Sequence, residues 1–405
     1  MIEKELTALT SWIANVGLEG AGETVLIEGF CGGAIAAGLP LARAIVFIDT
    51  LHPIHEGRVF RWERDKLAAT VSEYGRSTEG EAAERWRRSP HYRLLETGES
   101  LMRRRVTFET EREFPLFPAL WEAAITEFVA TVNRFSADGA IGEMDCFYAG
   151  WMTDQEGGFS DADVATLERL TPFLGLAIKS ASLARIANTL VETYLGRDAG
   201  RRVLQGRIAR GVADRIKTVL WFSDLRNYTR ISDSAPPEEI IPLLNDYAEV
   251  VVSAVHGLGG DVLKLVGDGT LAIFPADNRQ EACRGALAAA VRVRNDVIRL
   301  NGKRSAAGLP TSQVYLALHV GDVFYGNIGS KDRLDFTIIG PAVNEVSRIL
   351  AMSRSVEQDV LLSADFADAT GSEMRRRLLS VGRYALRGVA HPLELFTPEP
   401  DFDLP

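Results

Sequence analysis

The sequence predicts an α+β protein of two to three domains, with a C-terminal half built on a β-α-β-β-α-β order. Three observations carry this. The chain has 405 residues, and domains average roughly 150. Its composition, 46% hydrophobic and 25% charged, is that of a globular chain and excludes disorder, collagen-like repeats and a disulfide scaffold. From residue 217 onward, apolar runs of strand length alternate with helical segments bounded by glycine and proline. The net charge of −10, from 45 basic and 55 acidic residues, excludes a general nucleic-acid coat, which needs a basic field. It leaves room for a local phosphate site.

In the first 160 residues, short apolar runs mix with charged segments. Residues 44–49 read as a strand. Residues 146–151 read as another, entered from a polar turn at Ala137-Asp138-Gly139. The clusters Arg85-Trp86-Arg87-Arg88 and Arg103-Arg104-Arg105 read as solvated faces, with an anionic ligand site as the alternative. His52 and His55 flank a proline, a weak metal signal. Cys31, Cys146 and Cys283 lie far apart, outside any metal-ligand spacing, and read as reduced thiols. The start, Met1-Ile2-Glu3-Lys4-Glu5-Leu6, lacks the basic-then-apolar pattern of a signal peptide. The apolar stretch 30–48 contains Gly32, Gly33, Gly38, Pro40 and Arg43, so it reads as buried strand and turn rather than a membrane span. A cytoplasmic protein without membrane insertion is expected.

Ser160 is placed to cap a helix, with Asp161 and Asp163 in its first turn. Leu167, Leu170, Leu174, Ala177, Ala181, Ala184, Asn188, Val191 and Leu195 then follow at alternating 3-4 spacing, the seam of a coiled coil. The competing reading packs this helix on its own domain through Leu176, Leu183, Ile186 and Leu190. Gly196, Gly200, Gly206 and Gly211 make the next segment a bendable coupler. The expected boundaries are 1–160 for a regulatory domain, 161–216 for a helical dimerisation and transducer linker, and 217–399 for the second domain.

In that domain a strand over 217–222 leads to Asp224, and a helix over 237–256 follows. Two strands, 261–266 and 270–274, form a hairpin around Gly267-Asp268-Gly269. A helix over 281–300 precedes strands at 314–320, 323–328 and 336–339. Pro341 opens a helix to about residue 351, and 360–363 is a late strand. This is a ferredoxin-like core with extensions.

Asp224 at a strand end and Asp268 at a glycine turn suit Mg²⁺, which takes one or two carboxylates plus phosphate oxygens. Spacing alone also fits aspartates serving local turns. Lys264, flanked by Val262, Leu263, Leu265 and Val266, must snorkel, pair or serve a ligand. Asn344 and Arg348 share a helix face, and arginine suits planar phosphate contact; a solvated polar face is the plain alternative.

Four motifs occur in order: Trp221-Phe222-Ser223-Asp224-Leu225-Arg226-Asn227-Tyr228-Thr229; Lys264-Leu265-Val266-Gly267-Asp268-Gly269; Tyr325-Gly326-Asn327-Ile328-Gly329; and Asp335-Phe336-Thr337-Ile338-Ile339-Gly340-Pro341-Ala342-Val343-Asn344-Glu345-Val346-Ser347-Arg348. Over residues 198–399 the chain closely resembles the catalytic domain of bacterial class III adenylate/guanylate cyclases. The resemblance implies a pair of Mg²⁺ or Mn²⁺ ions at Asp224 and Asp268, with Leu225 beside them. It implies that Lys264 and Thr337 read the purine edge. Asn344 would orient the ribose and Arg348 would stabilise the transition state. Arg387 would bind polyphosphate, and the loop Leu225, Arg226, Asn227 and Tyr228 would cradle the other phosphates through backbone N–H groups. Asn227 stands where relatives often have glycine, and asparagine tolerates the left-handed backbone. Lys264 donating to N1 and Thr337 accepting from N6 favour ATP over GTP, because guanine reverses both groups. A homodimer sharing two sites is implied.

The C-terminal end of the first unit, an aromatic-rich strand, then Phe159-Ser160-Asp161-Ala162-Asp163 and a long helix, resembles a GAF-type sensor domain. That implies an antiparallel sheet with helices and a small-molecule ligand, with a domain that only dimerises as the alternative. The leading expectation is a regulated adenylate cyclase. The rivals are a non-catalytic nucleotide-binding signalling module and a guanylate cyclase.

Overall fold

The structure, a computed structural model, describes residues 3–75, 80–135, 144–400 and 402. The expected turn at Ala137-Asp138-Gly139 lies outside the described residues. The chain divides into two compact units, Met1–Leu190 and Val191–Pro405.

The first unit contains α1 (Glu3–Leu18), α2 (Glu23–Ala36), β1 (Arg43–Asp49), β2 (His55–Glu63), β3 (Thr70–Gly75), α3 (Glu81–Arg87), α4 (Pro90–Thr97), β4 (Leu101–Arg105), α5 (Phe117–Glu122), β5 (Glu127–Arg134), β6 (Cys146–Thr153) and most of α6 (Asp161–Leu195). Its six strands form one antiparallel sheet in the order β3-β2-β1-β6-β5-β4. Every residue of β6 is buried, because both faces of the sheet are covered. Phe147, Ala149 and Trp151 pack toward α1, α2 and α6. Cys146, Tyr148 and Met152 pack toward α4 and α5.

Ser160 caps α6 as expected. Its Oγ accepts the Asp163 N–H at 3.2 Å, and Asp163 Oδ2 accepts the Ser160 N–H at 2.9 Å, a reciprocal capping box. Arg103 departs from the solvated-face reading. It bonds the buried Glu127 carboxylate at 2.6 Å, Asp161 at 2.7 Å and the Phe159 carbonyl, tying the start of α6 to the sheet. The seam expectation is also corrected over its first half. Leu167, Leu170, Leu174 and Ala177 are buried in the unit's own core, so they are spent on intrachain packing. Leu176, assigned to self-packing in the competing reading, is 67% exposed, while Ile186 is buried. His52 Nδ1 accepts the backbone N–H groups of Ile54 and His55, a turn rather than a metal arrangement.

The second unit contains α7 (Arg197–Leu204), β7 (Ala213–Leu225), α8 (Tyr228–Ser234), α9 (Pro237–Gly257), β8 (Asp261–Val266), β9 (Gly269–Pro275), α10 (Arg279–Ala306), β10 (Val314–Gly329), β11 (Leu334–Ile339), α11 (Pro341–Val356), β12 (Val360–Ser363), α12 (Ala364–Ala369), α13 (Ser372–Arg375), β13 (Leu378–Tyr384) and β14 (Leu393–Pro398). The sheet order is β13-β14-β12-β10-β7-β9-β8, with β11 paired to β10. The stretch β10-β7-β9-β8, with helices between, is the expected β-α-β-β-α-β core. On one face Val219, Trp221, Leu316 and Leu318 meet α9 and α10. On the other, Leu220, Ala317 and Val323 meet Val346, Ile349 and Leu350 of α11.

Two strands expected at 314–320 and 323–328 are one continuous strand of 16 residues. Gly321 and Asp322 pair with Thr218 and Lys217 of β7. Gly321 serves packing, because a Cβ there would lie 2.3 Å from that of Ala342. All three cysteines are buried and free. Among the described residues, no helix is long and apolar enough to cross a membrane.

Candidate active site

Asp224 is the penultimate residue of β7, opposite Tyr315 of β10. Asp268 stands at the turn of the β8–β9 hairpin. Gly267 before it takes the left-handed conformation, with φ +63°, and Gly269 after it is pressed onto β7. A Cβ on Gly269 would lie 2.9 Å from the Ser223 carbonyl oxygen. That close approach sets the hairpin tip beside the end of β7. The Leu225 N–H donates to Asp224 Oδ1 at 3.0 Å and Asp268 Oδ2 at 3.2 Å, one donor between two carboxylates. Burial and the neighbouring Asp268 carboxylate raise the Asp224 pKa to about 7, with Arg354 opposing the rise.

This donor set fits a divalent cation. Two like charges converge with one shared N–H to relieve them. No cluster of three or more metal-ligating side chains occurs among the described residues, so an ion here would complete its shell with Leu225, substrate phosphate or water oxygens. The carboxylates line a cavity of about 200 Å³ with Ile241, Leu244, Asn245 and Thr270. Small-molecule pockets usually start at about 300 Å³, so one chain's cavity is small for a whole nucleotide.

The purine-reading candidates form a second group. Lys264, just past a bulge in β8, forms an ion pair with Asp335 of β11. Thr337 lies two residues beyond Asp335 and thus on the same face of β11, while Phe336 and Ile338 turn inward. Asp335 was not singled out in the sequence as a partner of Lys264. The period-2 rule applied outward from Thr337 would have marked it. Asn344 and Arg348 are exposed on α11, opposite its buried Ala342, Val346, Ile349 and Leu350. Arg387 is exposed between β13 and β14. None of Lys264, Thr337, Asn344, Arg348 or Arg387 lines the carboxylate cavity.

The loop after β7 follows the sequence in part. Asn227 caps α8 in the left-handed conformation, φ 59° and ψ 27°. Arg226 does not offer its N–H to a ligand, since it donates to the Gln313 carbonyl at 2.8 Å. Its guanidinium lies over the Tyr315 ring, 3.8 Å from Asp359. With Leu225 turned to the carboxylates, Asn227 and Tyr228 are the loop's phosphate candidates.

Residues 213–397 match the family described as the adenylate and guanylate cyclase catalytic domain. An uncharacterised protein of Mycobacterium tuberculosis (strain ATCC 25618 / H37Rv) is 33% identical over 213 residues, 51% of this chain and 38% of its own. An adenylate cyclase of Anabaena cylindrica is 34% identical over 157 residues, 38% of this chain and 30% of its own. Adenylate cyclase 1 of Rhizobium meliloti (strain 1021) is 27% identical over 221 residues, 52% of this chain and 33% of its own. The chain thus spans about a third of the length of these curated relatives.

Proposed function

We propose, from the premise that residues 213–397 are an adenylate and guanylate cyclase catalytic domain, that the protein converts ATP to 3′,5′-cyclic AMP and pyrophosphate at sites shared by two copies of the chain. One observation carries this reading. Asp224 and Asp268 line a cavity that none of Lys264, Thr337, Asn344 and Arg348 lines, which supports a site taking the first group from one protomer and the second from its partner. A symmetric pair then holds two equivalent sites.

Within such a site, the Leu225 N–H keeps the two carboxylates converged. Bound Mg²⁺ or Mn²⁺ ions would supply acidity to the ribose 3′-hydroxyl and charge for the leaving pyrophosphate. Lys264 donates to adenine N1, with Asp335 holding the ammonium on the face that carries Thr337. Thr337 Oγ accepts from the N6 amino group. Asn344 orients the ribose, and Arg348 meets charge developing on the α-phosphate. Asn227 and Tyr228, with Arg387 from the β13–β14 loop, serve the polyphosphate.

Lys264 favours ATP, because guanine N1–H would set donor against donor at the N1 position. A non-catalytic role is disfavoured by the intact set of Asp224, Asp268, Asn344 and Arg348. The first unit, read as a GAF-like regulatory domain, is supported by its antiparallel sheet covered with helices; a small molecule would be its ligand. The helical segment 161–216 then couples it to the catalytic domain, and the setting is the cytoplasm. The test is product formation by the full chain from ATP and from GTP, with Mn²⁺ or Mg²⁺. Cyclic AMP from ATP in clear excess is expected. Cyclic GMP in excess would replace the adenylate reading, and no cyclic product from either would overturn the enzyme reading.

A further inference from the structure

The helix that carries Asn344 and Arg348 is held by more than its apolar face. His319 of β10 is 2% exposed. Its Nε2 lies 2.9 Å from Oε2 of Glu345, and its Nδ1 lies 2.8 Å from the Ser363 hydroxyl. Glu345 directly follows Asn344 and precedes Arg348 by three residues on α11. Ser363 is the N-cap of α12, accepting the Phe366 N–H at 3.2 Å.

The proton assignments follow from what each group can do. An ionised carboxylate only accepts, so Nε2–H donates to Glu345. The Ser363 hydroxyl can donate to Nδ1 or accept from it, and its oxygen also accepts from the Phe366 N–H. Both ring nitrogens are satisfied, and the ring is fixed at both ends. The histidine beside Glu345 holds its carboxyl below the usual carboxylate range.

This link sits beside the first turn of α11. A cavity of about 480 Å³ opens beside its first turn, lined by His319, Gly340, Ala342, Glu345, Arg215 and Asp365. Apolar contact is non-directional, whereas the His319–Glu345 bond has a direction. On the cavity side, that bond adds a directional restraint on roll. Arg348 is a long side chain on the exposed face, so a small roll displaces its guanidinium. Catalytic groups must be held within about 10–20° of productive geometry, and a misplacement of about 1 Å can cost on the order of 100-fold.

We propose that His319 is a positioning residue for the cyclase reaction: through Glu345 it sets the roll of α11, and so where Asn344 and Arg348 point. This rests on the cyclase reading above. The test uses the full chain with Mn²⁺ and the variants Glu345→Ala, Glu345→Gln and His319→Ala. Four quantities are measured: kcat, KM for ATP, melting temperature, and affinity for 3′-deoxy-ATP, which binds but cannot cyclise. Glu345→Ala and His319→Ala should lower kcat about 10- to 100-fold, with KM and 3′-deoxy-ATP affinity within about threefold of wild type. Glu345→Gln keeps an acceptor for Nε2–H and should restore kcat to within about threefold. If His319→Ala does not fold, the Ala and Gln variants at the partly exposed Glu345 decide. An unchanged kcat in Glu345→Ala overturns the inference. So does a joint fall of kcat, analogue affinity and melting temperature that Gln fails to rescue, which is the mark of a merely structural contact. No turnover of ATP or GTP by the wild type would instead overturn the cyclase reading, and this inference with it.

Discussion

Asp224 and Asp268 compete for one backbone N–H, and the consequence for stability has a definite sign. The Asp224 pKa rises from an ordinary 3.8 to about 7, so between those values the folded metal-free chain holds a proton that the unfolded chain has released. Stability therefore falls as pH rises from about 4 to about 7. Asp224→Asn removes that penalty. At pH 8 with chelator it should raise stability by about 1–2 kcal/mol, after allowance for solvent screening, while cutting turnover by more than about 100-fold. Thermal melts across pH, beside activity assays, check both. A less stable Asp224→Asn chain would show that the two carboxylates do not repel. The base pocket gives a second outcome. Lys264→Glu exchanges a donor for acceptors and sets two carboxylates against each other at Asp335. The GTP-to-ATP ratio of kcat/KM should rise about tenfold or more, and an unchanged ratio in folded protein would remove Lys264 from base reading. The candidate site residues stand out in the sequence because their types and order are unusual. Asp335 does not, because a carboxylate earns notice only when its ion-pair partner, 71 residues earlier in the chain, is seen beside it.

At the scale of elements, the sequence located the strands and helices of the β-α-β-β-α-β core of the second unit to within a turn or two, assigned nothing to α8, α12, α13, β13 or β14, and failed where partners decide. Gly321-Asp322 reads as a break, yet the extended β7 supplies backbone partners on both sides of it, so one long strand replaces two. In α6 the 3-4 spacing identified an apolar stripe but not its occupant. Periodicity is the same whether a stripe meets another chain or its own domain, and here its first half meets α1, α2 and the sheet. Leu174 and Leu176 separate the cases. Leu174→Ala empties a fully buried site and should destabilise the first unit by about 2–5 kcal/mol. Leu176→Ala, at a site 67% exposed, should change stability by less than about 0.5 kcal/mol. Chemical denaturation of the two variants measures this, and comparable losses would contradict the assigned faces.

For the whole molecule, the shared-site proposal makes a counting prediction. Asp224→Ala and Arg348→Ala should each be inactive as homodimers. Unfolded and refolded together, roughly half the dimers are mixed, and each mixed dimer has one site with both defects and one with none, so about a quarter of wild-type activity should return. No recovery, with mixed dimers demonstrated, would mean that a single chain holds its own complete site. The three buried cysteines offer a different kind of access to the same molecule. Cys31 and Cys146 belong to the first unit and Cys283 to the second. Burial pushes Cys146 to about 11 and Cys283 to about 12, and Cys31 upward as well, so the reactive thiolate is nearly absent at neutral pH. A maleimide should leave the native chain untouched and mark each thiol only when its surroundings open. Its labelling rate is thus a separate clock for the opening of each unit. A nucleotide that binds the second unit should slow the Cys283 clock and leave those of Cys31 and Cys146 running at their own pace.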